Sequence, residues 1–310
     1  MIGTPMTFAR LVHADWSIHP RKRWRAEARR GAAGWHVSAP VPVPDSAALL
    51  TDLERGAGPV LAGFDFPIGL PAAYARRAGI ARFPDWLAGL DAPHWAQALT
   101  VCREVGEVSL QRPFYPHAPG GRRVADLVEA LGLDGRADLL RACDRGEPGK
   151  RQACPLFWTL GANQVGKAAI TGWREVVIPA LTRGASLWPF DGTLGRLAST
   201  GGLTLCETYP AEAYGQIGAP FPPGASKRRQ ADRARATAGL VARAAKRGTS
   251  LSPETLAALG NGFGPAEEGE DPFDALMGLL GMIEVVEGRV PEAPPGRATD
   301  PVEGWILGRG

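Results

Sequence analysis

Cysteine is scarce in this 310-residue chain: Cys102, Cys143, Cys154 and Cys206 form no CxxC pair and have no even spacing. Neither a zinc ribbon nor a disulfide scaffold is therefore indicated, and reduced thiols in a cytosolic protein are the expectation. No apolar run reaches the 18 residues that a membrane-spanning helix needs, and the first residues lack the charged, apolar, small-residue order of a signal peptide. A cytoplasmic protein with no membrane partner is expected. Strong charge of either sign is also missing. A net charge of +3 permits an anionic partner without demanding one. The five histidines, His13, His19, His36, His94 and His117, lack ligand spacing, so His13 reads as a packed strand residue.

What is present is enough apolar residue, 45%, for one large α/β domain or two smaller ones. Forty glycines and 28 prolines predict many loops without signalling disorder. The organising stretch is Val60-Leu61-Ala62-Gly63-Phe64-Asp65, which runs into the breakers Pro67, Gly69 and Pro71. An apolar run of this length between breakers reads as a strand buried on both faces, with Asp65 at its carboxyl end, where α/β sheets collect ligands. Residues 8–16 form a similar strand closing on Asp15, and residues 202–207 one closing on Glu207.

In chain order, strands at 8–16, 22–30 and 35–39 read as an antiparallel meander. A short helix capped by Asp45 follows, then the strand ending at Asp65. Residues 72–200 alternate short helical patterns, such as 72–78 and 124–143, with Pro- and Gly-rich connections, and read as a largely helical insertion in a single domain spanning 1–310. After the strand at 202–207 come a basic helix over 225–247 and a short helix started by Ser252-Pro253-Glu254. The last long helix opens at Asp271 as its cap, with Asp274 three residues on, bordering the apolar stripe. A carboxylate there needs a cation or hydrogen-bond donors. Asp15, Asp65, Glu207 and Asp274 could jointly hold Mg²⁺ or Mn²⁺, whose hard character suits oxygen ligands. Two such ions clamp a phosphodiester, one activating water and the other stabilising the leaving oxygen.

Asp15-Trp16 after an opening strand, Gly63-Phe64-Asp65-Phe66-Pro67-Ile68-Gly69-Leu70-Pro71, Glu207-Thr208-Tyr209-Pro210, Asp271-Pro272-Phe273-Asp274-Ala275-Leu276 and Glu303-Gly304-Trp305-Ile306-Leu307 together carry a resemblance. In that order they are similar to the DUF429 family, described as ribonuclease H-like in fold and as predicted nucleases. The resemblance implies a mixed five-stranded sheet, three antiparallel strands and then parallel ones, flanked by helices. It also implies acids on strands one, four and five and on the C-terminal helix.

The expected activity is a metal-dependent phosphodiesterase on nucleic acid or another phosphoester. Asp15 and Asp65 would bridge the ions, Glu207 and Asp274 would complete them, and Lys227 or Arg228 would meet phosphate oxygens. Each acid has a simpler role available, Asp65 as a turn cap for instance. The basic segments 22–30 and 225–247 equally suit solvated faces, and Trp24 either a stacking surface for single-stranded nucleic acid or core. A non-catalytic nucleic-acid or nucleotide binder of the same fold is the alternative, recognisable by salt-dependent binding. A further alternative is a nucleoside triphosphatase, since Gly161-Ala162-Asn163-Gln164-Val165-Gly166-Lys167-Ala168 matches a phosphate loop except at Ala168, which lacks the Mg²⁺-binding hydroxyl. Lys167 there is either exposed or reaches an anionic ligand.

Overall fold

The computed structural model describes residues 7–56, 58–146, 152–160, 165–265, 268–297 and 300–310. The chain divides into two compact units, one of Met1–Asp65, Asp191–Pro294 and Ile306–Gly310, the other of Phe66–Phe190 and Pro295–Trp305.

The first unit is built on strands β1 (Arg10–Asp15), β2 (Trp24–Gly31), β3 (Gly34–Pro42), β4 (Val60–Phe64), β5 (Leu203–Glu207) and β6 (Thr249–Leu251). Its helices are α1 (Ser46–Leu53), α2 (Leu194–Thr200), α3 (Pro210–Ile217), α4 (Gln230–Thr237), α5 (Leu240–Lys246), α6 (Pro253–Gly260) and α7 (Glu270–Val286). Within this unit the strand order is β5-β4-β1-β2-β3-β6. β1, β2 and β3 form the expected antiparallel meander, while β4 runs parallel to β1, and β5 parallel to β4. The architecture is mixed α/β, but among the described residues this unit contributes six strands in place of the expected five. The additional strand, β6, is too short to show alternation in sequence.

β4 is buried along its whole length, as a strand covered on both faces must be. Helix α7 covers the face of the sheet that carries His13 and Gly63. The ring of His13 occupies the space where a side chain on Gly278 would begin, 2.3 Å from a built Cβ, and Met282 sulfur lies 2.7 Å from one on Gly63. Glycines at both positions thus let helix and sheet approach closely. The buried His13 Nδ1 lies 3.1 Å from the Ala275 carbonyl and, facing an acceptor, carries the proton. His13 is the packed strand residue the sequence suggested.

Several boundaries differ from expectation. The basic stretch over 225–247 is two helices, α4 and α5, parted near Gly239. The 124–143 pattern yields one helix, Val124–Ala130, followed by 3-10 turns, because Gly132 turns into left-handed backbone at φ 62°. Asp271 is not the cap of α7. Gly269 holds that position, and Asp271 sits in the first turn, still favourably placed against the helix dipole. Asp45 does cap α1, accepting from the amides of Ala47 and Ala48 at 2.8 and 3.2 Å.

The second unit occupies most of the stretch where the sequence predicts a helical insertion. Its helices include Ala72–Ala78, Phe83–Ala88 and Val165–Gly172, the last passing into a π turn over Trp173–Val177. Phe83, Trp86, Trp173 and Phe114 stack edge-on in its core, and Trp173 Nε1 donates to the Pro67 carbonyl at 2.7 Å. Glu303 ties the segment after Pro295 to this core, accepting from the amides of Ala72 and Ala142 at 3.1 and 3.0 Å. Among the described residues, no helix is long and apolar enough to cross a membrane.

Candidate functional site

The parallel ladder between β1 and β4 ends with Ala14 opposite Phe64. Asp15 and Asp65, the next residue on each, therefore stand side by side at the carboxyl ends of the strands. The pleat alternates, so both point to the face of His13 and Gly63, toward α7. The two carboxyls are near enough for the charge of Asp65 to raise Asp15. The Trp16 amide donates to Asp65 Oδ1 at 2.6 Å, fixing the orientation of that carboxyl. Protein surrounds both groups, yet each keeps part of its surface open to solvent.

Asp274, on the first turns of α7, is 4% exposed and joins them from above. Its two oxygens are occupied: Tyr214 on α3 donates its hydroxyl to Oδ1, and the Lys227 ammonium donates to Oδ2. The same ammonium lies 3.0 Å from Glu270 Oε1. Asp271 lies near enough to raise Asp15 electrostatically.

The protonation states follow from crowding of like charge in a partly dry place. Burial first, and then the charges of Asp65, Asp274 and Asp271, push Asp15 well above the usual carboxylate range, against the pull of Lys227. Burial lifts Asp65 to about 7, opposed by the Trp16 amide and reinforced by Asp274. Asp274 is raised by burial and held back by Lys227 and Tyr214. Burial works against charge on Lys227, but Asp274 and Glu270 outweigh it and raise the ammonium. Burial also lowers His13 to about 3, so this histidine stays neutral beside the acids.

Glu207 is placed differently. It pairs with Phe64 on the β4–β5 ladder, one step short of Asp65. The period of two then turns its side chain to the opposite face of the sheet from Asp15 and Asp65. Thr208, one residue on, takes the level and the face of Asp65, and its amide continues the ladder to the Phe64 carbonyl at 2.8 Å. Among the described residues the buried Thr208 hydroxyl has no hydrogen-bond partner. Thr208 and Tyr214 are thus the site residues that sequence reasoning missed. Both lie within residues 208–214, directly after the strand ending at Glu207, and the signal for them was the one-residue offset between that strand and β4, which only pairing reveals.

The other predicted contacts divide. Lys227 is in the site, but on an acid. Arg228 is 78% exposed at its side chain, with Nε 3.9 Å from Glu270 Oε2. Lys167 belongs to helix Val165–Gly172 of the second unit, and Gly161–Gln164 of the phosphate-loop pattern lie outside the described residues. The basic segments are largely neutralised on the spot. Glu27 takes Arg10 and Arg29, each at 2.6 Å, Asp52 takes Arg25, and Arg30 pairs with Glu287 over the ring of Trp35. Asp232 likewise holds Arg229 and Arg235.

The donor set of the acid cluster is all oxygen, the chemistry of Mg²⁺ and Mn²⁺. Asp274 is paired with an ammonium, and among the described residues no group of three or more His, Cys, Asp or Glu side chains is arranged ready to hold a metal.

Fold and site together define a mixed α/β protein with a carboxylate cluster at the carboxyl ends of its central parallel strands. A scan against protein-family models finds no match, and no curated protein and no solved structure matches the chain.

Proposed function

We propose that the chain is a metal-dependent phosphodiesterase, of the ribonuclease H-like kind its motifs resemble, acting on nucleic acid or a smaller phosphoester. The observation that carries this reading is the meeting of Asp15, Asp65 and Asp274, from two adjacent strands and one helix, in a place where their charges repel. Such a cluster has no stabilising purpose in an apoprotein, and perturbed acids in a cleft are a mark of function. Bound Mg²⁺ or Mn²⁺ would supply charge neutralisation at the phosphate and an activated water. Asp15 and Asp65 would hold the ion, with the Trp16 amide fixing the Asp65 carboxyl. Asp274, held by Tyr214, could be added to the set if Lys227 left its Oδ2 for a phosphate oxygen. Glu207, facing the other side of β5, stands outside this set.

The alternative of a non-catalytic nucleic-acid binder draws less support, since the basic residues on which it depends are mostly engaged by nearby acids.

Incubation of the purified protein with single-stranded RNA and DNA in Mg²⁺ or Mn²⁺ tests the proposal. Cleavage that chelation stops and Asp65→Asn removes is the expected result. No cleavage of any phosphodiester, or cleavage that persists in Asp65→Asn, overturns it.

A further inference from the structure

A second polar cluster lies at the other end of α7, on the order of 15 Å along the helix from Asp274. Here the charge is of opposite sign. Arg247, at the end of α5, donates to Glu284, and Arg289, just past α7, reaches the same carboxylate at 3.1 and 3.2 Å. Among the described residues Arg243, one turn before Arg247 on α5, meets no carboxylate: its Nη2 donates to the Gln216 carbonyl at 3.1 Å, and its buried Nε has no partner. Two guanidinium groups therefore share the Glu284 carboxylate, with a third, that of Arg243, on the same stretch of α5 as Arg247. The next acid, Glu287, is shared with Arg30 and the Trp35 indole. Burial first, and then the charges of Arg243 and Arg289, push Arg247 down from its ordinary range.

These groups line a small hollow open to solvent. Arg243, Arg247 and Thr249 supply its polar lining with Glu284, and Leu240, Leu280 and Ile283 supply apolar walls. Gly218, which ends α3 in left-handed backbone at φ 78°, leaves room for the Arg243 guanidinium, since a Cβ there would lie 2.4 Å from Nη1. The donation to the Gln216 carbonyl orients the arginine, and its planar fork matches the oxygens of a tetrahedral anion better than an ammonium does.

We propose that this cavity binds a phosphate-type oxyanion between Arg243 and Arg247, independently of the acid cluster. The free phosphate ion and the phosphate of a small organic monoester share this chemistry. The apolar walls favour the monoester.

Titration calorimetry and thermal unfolding with inorganic phosphate and with phenyl phosphate, at ionic strength held constant with chloride, test the site. The wild-type protein should bind at least one of them saturably and gain thermal stability. Phenyl phosphate binding more tightly assigns the site to esters, and equal binding assigns it to the free ion. Arg243→Gln should weaken binding by about tenfold or more, which is the loss of one charged hydrogen-bonding partner. Arg243→Lys should weaken it less. Circular dichroism confirms that both variants fold, and the Arg247→Gln variant, in which Glu284 keeps Arg289, provides a second route to the same loss. Asp65→Asn should leave binding unchanged. Binding that chloride reproduces, that survives both glutamine variants, or that disappears with Asp65→Asn overturns the assignment. So does the absence of saturable binding of either probe.

Discussion

Asp15 and Asp65 stand side by side at the ends of neighbouring parallel strands, one residue beyond the last paired position of the ladder. Burial and neighbouring charge raise both carboxyls, Asp65 to about 7, so the pair keeps a proton more readily than an ordinary carboxylate. Asp274 is paired instead with the Lys227 ammonium.

This gives a pH dependence with a definite sign. Asp65 has its carboxyl raised to about 7 by burial, against an ordinary value near 4, so the folded state holds its proton over that interval while the unfolded state has lost it. Stability of the metal-free protein should fall as pH rises from about 4 to about 7, and Asp65→Asn should be more stable than wild type by ~1–3 kcal/mol at pH 8. Urea denaturation across the pH range, with and without Mn²⁺, measures this. Saturating Mn²⁺ should flatten the slope, and a slope that Mn²⁺ leaves untouched argues against cation binding at the pair.

Lys227→Met removes the ammonium from Asp274 and leaves Tyr214 as its donor. With Lys227 partly exposed, the expected loss at neutral pH is ~1–3 kcal/mol, shrinking in acid as Asp274 takes up a proton. Mn²⁺ should bind the variant more tightly than wild type, because the competing cation is gone. Weaker Mn²⁺ binding would show that Lys227 does not compete with the ion.

Gly278→Ala tests how closely α7 must approach the sheet. The new methyl carbon would lie 2.3 Å from the His13 ring, and overpacking of this kind costs about 1–3 kcal/mol or more. His13→Ala in the same chain should recover part of the loss, a coupling readable in a double-mutant cycle from chemical denaturation. Strictly additive losses would mean the two residues do not meet.

Asp45→Ala deletes the cap of α1, whose carboxylate accepts from two otherwise orphaned amides. A loss of ~1 kcal/mol is expected, with Asp45→Asn retaining most of the stability. Thermal denaturation of the two variants decides between a true cap and a passive surface position.

Much of the strand layout was legible along the chain. The unbroken apolar run Val60–Phe64 announced a strand buried on both faces, and Asp45 ahead of Ser46 announced a helix start. Asp15 and Asp65 could be placed at strand ends because breakers follow each run. Other features were illegible for equally physical reasons. Thr249–Leu251 is a strand only because β3 offers it an edge, and nothing in three residues encodes that. The basic stretch over 225–247 looks like one helix by composition, and its break near Gly239 divides it into two. Its arginines also look available to nucleic acid until Asp232 and Glu284 are seen beside them.

The amino-acid sequence by itself determined which acids close the central strands and which helix carries a fourth, since burial runs, breakers and caps act over a few neighbouring residues. Tertiary structure alone decided which of those acids meet. A one-residue offset in pairing sends Glu207 to the far face and puts Thr208 at the level of Asp65, while two glycines let α7 descend far enough for Asp274 to reach the pair. Register and interhelix distance are properties of contacts between segments far apart in the chain, where no local pattern records them.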